Sequence, residues 1–320
     1  NIRSQIANRW QHIVSELRAH GDRDLSMAEF LDDSGIELSD ILAAGKRSWT
    51  ELRRDAGLPT AEGSDLEAKL LKRVRAFAHV DDADRAQAYT QLLQAGDVDY
   101  ASLTSGEQRM ARMLYYSLWS DGGGFESYGE GLGALAREVA TRSEIAEVVD
   151  YAYSASRHVP IKLGGALADV PLKIHARYQR EEILAALDFP RNPSTMREGV
   201  WHSAERNIDA FLVTLTKSEA DYSPTTMYAD YPISPTLFHW ESQSTTSVAS
   251  PTGQRYLTGS STVLLFVRQK QSDEYGTAPY LFLGPATYQT HAGDRPIAIT
   301  WKLLHPMPVE FFNVAAAVAQ

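Results

Sequence analysis

Apolar residues recur every three or four positions over the first part of the chain and gather in short dense runs over the rest. From Asn1 to about Ala186 the spacing is helical. Ile6, Trp10, Ile13 and Leu17 form one stripe, and Leu66, Leu70, Leu71, Val74 and Phe77 form another. Ser64 stands three residues before Glu67, the spacing of an N-cap with its capping box. Further helices are expected over about 106–119, ended by Gly122-Gly123-Gly124, over about 142–156, and from near Gln179, with Ile183, Leu184 and Leu187 on one side.

Past Asp188 the texture changes. Pro190, Asn192 and Pro193 mark a linker, and β-rich runs follow at about 209–217, 261–269, 280–283 and 297–303. Strands without regular intervening helices suggest a twisted, barrel-like sheet. The fold class expected is therefore α+β, with a helical domain over 1–188 and a β-barrel domain over 189–320. Between the first two runs lies a stretch of about forty residues, 218–260, which reads as a long loop. Such loops are usually functional or disordered, and Tyr222, Met227, Tyr228, Tyr231, Phe238, Trp240 and Tyr256 argue against disorder.

Composition narrows the function classes. At 320 residues, 43% hydrophobic and 22% charged, the chain can bury a substantial core. It has no cysteine, which removes disulfides, thiolate metal sites and a Cys nucleophile. No apolar run approaches the ~20 residues of a membrane span, and no membrane partner is expected. Taken alone, the net charge of −10 argues against nucleic acid. It is uneven, however: residues 1–170 carry 19 basic and 27 acidic side chains, and residues 171–320 carry 12 and 14. The helical part thus holds −8 and the β-rich part only −2, which leaves room there for a basic face.

Phosphate-loop, HExxH, GxSxG and HxK signatures are absent. Glu67-Ala-Lys69 reads as a solvated helix face, and His239 and His291 as isolated structural histidines. The chain reads as non-catalytic, with no cofactor and no metal. Ser26-Met-Ala-Glu-Phe-Leu31 and the run from Gly45 to Leu58, with Lys46, Arg47, Arg53 and Arg54, resemble the small helical repeats appended to homing endonucleases. That resemblance implies a DNA-backbone contact by a module over 23–58. The alternative is a packing module with Trp49 and Leu52 as core.

The longest set of motifs lies further on. It runs from Leu215 to Tyr222, from Met227 through Tyr231-Pro-Ile-Ser-Pro to Gln243, and over Ser250-Pro-Thr-Gly-Gln-Arg-Tyr256. It continues in Val263–Arg268, Ala278–Gly284 and Arg295–Lys302, and upstream in Met113–Trp119, His158-Val-Pro160, His175-Ala-Arg-Tyr178 and Glu181-Glu-Ile183. Together these resemble DUF3427, the C-terminal region of SauUSI-type modification-dependent (type IV) restriction enzymes. The resemblance implies an SRA-like, PUA-related reader of 5-methylcytosine in duplex DNA, in a bacterial, cytoplasmic, nucleoid-associated protein. In those enzymes a nuclease and an ATP-dependent helicase precede it; this sequence has neither, and reads as an excised fragment or a stand-alone homologue.

Reading a cytosine by flipping it needs aromatic faces, an acceptor for the N4 amino group and a small apolar niche for the methyl. Tyr228, Asp230, Tyr231 and Trp240 hold that inventory, with Asp230 as the N4 acceptor and Thr225, Thr226 or Met227 beside the methyl. The alternative makes the aromatics core and Asp230 the cap of a turn before Pro232. Phosphate contacts are expected from Lys217, Gln254, Arg255, Arg268, Lys270 and Arg295, with Pro251-Thr-Gly253 as a presenting turn and Arg268 and Lys270 on one outward strand face. The rival readings are a modification-blind DNA clamp, a docking module for a helicase or nuclease subunit, and a weak intrinsic nuclease, which the lack of clustered carboxylates disfavours.

Overall fold

The computed structural model describes residues 2–21, 23–43, 45, 47–216 and 230–318. Helix α1 (Ile2–Ala19) buries Trp10, Ile13, Val14 and Leu17, as the stripe implies, while Ile6 stays exposed. Helices α2 (Met27–Ser34) and α3 (Trp49–Asp55) start at Ser26 and Ser48, whose hydroxyls accept the N3 amides of Glu29 and Glu51. Helix α4 (Ala83–Ala95) is capped by Asp82. Capping boxes open α5 (Ser105–Leu118; Thr104 with Glu107) and α7 (Arg180–Ala186; Gln179 with Glu182). Between them runs α6 (Val139–Ala155).

The capping box expected at Ser64 does not form. The helix there is only Glu67–Leu71, followed by a 3₁₀ turn at Val74–Phe77. The Ser64 hydroxyl donates instead to Glu138, and Arg54 takes the Glu67 carboxylate at 2.8 and 2.9 Å. Two long-range partners outcompete the local box.

Eight strands form one mixed sheet: β1 (Arg177–Tyr178), β2 (Val200–Ser203), β3 (Ile208–Thr214), β4 (Tyr231–Ser234), β5 (Leu237–Glu241), β6 (Thr262–Arg268), β7 (Tyr280–Ala292) and β8 (Ala298–Leu303). The order is β2-β3-β6-β7-β8-β5-β4, with β1 paired to the start of β7. Only β3 and β6 are parallel. The expected barrel is therefore corrected to an open sheet. Its edges, β2 and β4, do not pair with each other, and Pro232 in β4 has no amide hydrogen to offer a further strand.

The expected loop over 218–260 is also corrected. Its described part holds the β4–β5 hairpin and helix α8 (Pro251–Thr258), which together make up the crossover between the parallel strands. Pro251-Thr-Gly253 is the first turn of α8, with Pro at its start and the Ser250 hydroxyl accepting the Gly253 amide at 3.0 Å.

Strand alternation between two cores explains why the runs of β3 and β6 are apolar at successive positions. Ile208, Ala210, Leu212, Leu264, Phe266 and Phe282 face the helical core. Phe211, Val213, Val263, Leu265 and Val267 face a second core with Phe238, Trp240, Ile299 and Trp301 from β5 and β8. A sheet covered on both faces shows continuous hydrophobic runs rather than in–out alternation. Aromatic stacks join the strands on each side, Phe266 on Phe282 at 4.3 Å and Phe211 on Trp240 at 4.2 Å; each buried Phe contributes roughly 1.5–3 kcal/mol. Beside the first stack, Gly284 sits at φ +93° after a bulge, with Ile174 carbons 3.1 Å from where a Cβ would stand. Only glycine fits there without strain.

Candidate nucleic-acid interface

A cleft of about 400 Å³ opens where the ends of β1 and β6 and the start of β7 meet helix α9 (Val309–Val318). Val267, Leu281, Phe311 and Val314 give it an apolar wall; Arg177, Arg268 and Lys270 supply cations, His158 and His175 imidazoles, Asp273 and Glu310 carboxylates. Each position follows from the sheet. Arg177 is held opposite Leu281 by the β1–β7 pairing, and its amide donates to Asp81 at 3.0 Å. Lys270 lies just past β6, where the Thr216 amide continues the ladder onto the Gln269 carbonyl at 2.8 Å.

The cations differ in what they can offer. Arg177 and Lys270 are exposed. Arg268 is 8% exposed and is held within the protein: its guanidinium lies 4.3 Å over the Tyr280 ring and donates to Thr214 Oγ1 at 2.9 Å and the Ala278 carbonyl at 3.0 Å. It sets the potential of the cleft floor and stiffens it. His175 stands at φ +73°, fixed by its amide bond to the Phe282 carbonyl at 2.7 Å. Its Nε2 is buried without a hydrogen-bond partner. Burial lowers the pKa of this imidazole, with His305 and His158 adding to the effect, so a neutral ring faces the cleft at neutral pH.

The residues singled out in the sequence do not converge. Lys217, Thr225, Thr226, Met227 and Tyr228 lie outside the described residues, as does Lys46. Asp230 accepts the Glu241 amide at 3.0 Å, a cap at the mouth of the hairpin. Tyr231 stacks on its cross-strand partner His239, with ring centres 4.6 Å apart and planes 9° apart. Trp240 is the next residue along β5, so it points to the opposite face, where it is buried against Phe211. Tyr231 and Trp240 therefore flank no common space, and Trp240 is core rather than a stacking platform.

The expected phosphate-contacting residues fall at two ends of the sheet. Arg268 and Lys270 lie at the cleft, although Arg268 is turned inward rather than outward beside Lys270. Gln254 and Arg255 lie on α8 near the start of β3, about 20 Å away by strand rise over seven residues. Gln254 donates to the Val248 carbonyl at 2.7 Å. Arg255 grips the buried Asp209 carboxylate with two bonds of 2.9 Å, and the Ser261 hydroxyl binds the same carboxylate. Arg295 is exposed in the β7–β8 turn. In the 23–58 module, Arg53 pairs with Asp24 at 3.0 Å, Arg54 with Glu67, and Arg47 with Glu51 and Asp55, while Trp49 and Leu52 are buried. Its described arginines neutralise the module's own acids and those of its neighbours.

Among the described residues no group of three or more acids and histidines is placed to hold a metal ion. Among the same residues no helix is long and apolar enough to cross a membrane.

Residues 172–315 match the family model of DUF3427, a domain of unknown function. No curated protein matches the chain. The DUF3427 match starts three residues before His175 and ends within α9, so it takes in every cleft residue named above except His158. His175 and Arg177 were visible in the sequence only as part of the quartet His175-Ala-Arg-Tyr178. Nothing in their local pattern marks them as cleft residues, because β1 is two residues long and reaches the cleft by pairing with β7, a hundred residues on.

Proposed function

We propose that the chain is a DNA-binding protein that recognises 5-methylcytosine in duplex DNA, as the sensor part of a modification-dependent restriction system. The observation that carries this reading is the combined chemistry of the cleft. Exposed Arg177 and Lys270 suit phosphate oxygens. The wall of Val267, Leu281 and Val314 suits a methyl group, and Asp273 or Glu310 suits the N4 amino donor. The His175 imidazole on the cleft wall suits the O2 or N3 edge. The volume lies in the range of small-ligand pockets. Unstacking a base costs a few kcal/mol, and contact with an aromatic ring such as Phe311 offsets roughly 1–3 kcal/mol of it.

The likeness of the motifs to those of modification-dependent restriction enzymes supports the same reading. So does the coincidence of the cleft with the DUF3427 match. The near-neutral charge of the β-rich half implies weak non-specific binding, leaving discrimination to the pocket.

The test is a titration of matched duplexes, with and without 5-methylcytosine, at fixed salt. The methylated duplex should bind at least tenfold more tightly. Equal affinities overturn base recognition and leave a modification-blind clamp; no binding at low salt overturns DNA binding altogether.

A further inference from the structure

A second concavity, of about 520 Å³, lies between α4, the turn at 97–103 and the start of α5. It belongs wholly to the part of the chain before residue 172, outside the DUF3427 match. Its floor is apolar. Ala88, Leu92, Leu103 and Met110 are half-buried and face the groove, and Leu92, Leu103 and Met110 also pack against the helical core. Its rim is acidic: Asp84, Asp97, Asp99 and Glu107 line it, and no lysine, arginine or histidine does. Lys173 counters Asp84 at 2.8 Å from outside the groove.

Two of these carboxylates are fixed in place. Asp99 accepts the Ala101 amide at 3.2 Å, and Glu107 accepts the Thr104 amide at 2.8 Å and its hydroxyl at 2.7 Å. The same bonds lower the pKa of Glu107 and keep it ionised. The walls are helices and a short turn, with no strand edge. An incoming segment therefore finds no ladder for its backbone and must satisfy its own amides, as a helix does.

We infer that this groove docks an amphipathic helix of a partner polypeptide, its apolar stripe on Leu92, Leu103 and Met110 and its flanking Lys or Arg residues on the acidic rim. The carboxylates select against acidic segments, and the methylene stems of the partner's basic side chains cover the groove edges. This gives a use to the acidity concentrated in the helical half, and it stands independently of what the cleft binds.

The full chain should be titrated with a labelled 18-residue synthetic helix carrying a Leu/Ala stripe edged by Lys. Two controls accompany it: the same peptide with Glu for each Lys, and one of identical composition with the stripe broken. The amphipathic basic peptide should bind at least tenfold more tightly than either, and it should slow amide exchange over residues 88–110. The charge-neutral variant D97N/D99N/E107Q keeps the caps and should weaken binding at least tenfold. Ala88→Arg, at the half-buried groove floor, should do the same by filling it. Thermal melts that match the parent show that both variants are folded. Equal binding of the broken-stripe peptide, no binding below 1 mM, or binding unmoved by Ala88→Arg overturns the inference.

Discussion

Thr50 gives both its backbone amide and its hydroxyl to one carboxylate oxygen of Glu144, at 3.0 and 2.7 Å, while the neighbouring Trp49 amide takes the other oxygen at 2.7 Å. The start of α3 is thus capped by a side chain nearly a hundred residues away. Two more carboxylates, on α6 and immediately before it, do similar work. Glu147 accepts the Met27 amide of α2 at 2.6 Å, and Glu138 accepts the Ser64 amide at 3.1 Å. Orphan amides at helix starts and negative charge on α6 and its N-terminal flank complement each other. The 23–58 module is fastened to the helical core by acids that its own sequence does not contain.

Glu144 should make the module's stability depend on pH. Burial pushes its carboxyl up to about 7, outweighing the bonds from Thr50 and Trp49 that favour the charged form. A carboxyl raised on folding binds protons more tightly in the native state. Its contribution is therefore fully present below about pH 4.5 and is lost as pH rises through about 7, by about 3 kcal/mol at most. Urea melts from pH 4.5 to 8 should show the parent losing stability relative to Glu144→Gln over that window. A constant gap between the two would refute the shift.

Arg85 and Glu182 join α4 to α7 and should behave in the opposite sense. Burial alone would raise the Glu182 carboxyl, but Arg85 at 2.8 Å and the His79 imidazole hold it well below the usual carboxylate range. Tyr89 donates to the same oxygen at 2.7 Å. Stability from this group is present above about pH 4.5 and is lost as pH falls. Glu182→Gln leaves the fully buried Arg85 short of a partner and should cost about 3–5 kcal/mol in urea melts near pH 7. A cost below 1 kcal/mol would mean that Asp81 and Asp82 suffice.

What the sequence made legible was local. The stripe of Trp10, Ile13 and Leu17, the extent of α5 and the apolar runs of β3 and β6 each rest on spacing within a few residues, and each appears where the spacing put it. Most of the misreadings turn on partners distant in sequence. Ser64 looked like an N-cap until Glu138 took its hydroxyl. Arg255 and Arg268 looked like surface cations until Asp209 and the Tyr280 ring claimed them. Tyr231 and Trp240 looked like one cage, because their spacing says nothing about the strand pairing that sends them to opposite faces.

Arg255 should then be a stability residue. Asp209 is fully buried, and Arg255 supplies its bidentate counter-charge. Arg255→Ala leaves that carboxylate with the Ser261 hydroxyl and His202 at 3.3 Å, and should destabilise the protein by about 3 kcal/mol in chemical denaturation. Arg255→Lys should recover only part of this, since one ammonium cannot span both oxygens. DNA affinity measured well below the transition should stay within threefold of the parent. A large loss of affinity in a variant of unchanged stability would return Arg255 to the interface.

Arg177 and Lys270 are the residues on which the proposed DNA contact depends. Both are exposed at the rim of the cleft, and neither lies in the 23–58 module whose arginines are spent on acids. If each neutralises a phosphate, Arg177→Ala and Lys270→Ala should weaken methylated and unmethylated duplexes by the same factor, because phosphates carry no sequence information. Each change should also reduce the slope of log affinity against log salt by about 0.9, the signature of one lost counterion-releasing contact. The ratio between the two duplexes should be preserved in both variants. A slope that does not move while affinity falls would assign these side chains to the shape of the cleft, and a changed ratio would place them against the base itself.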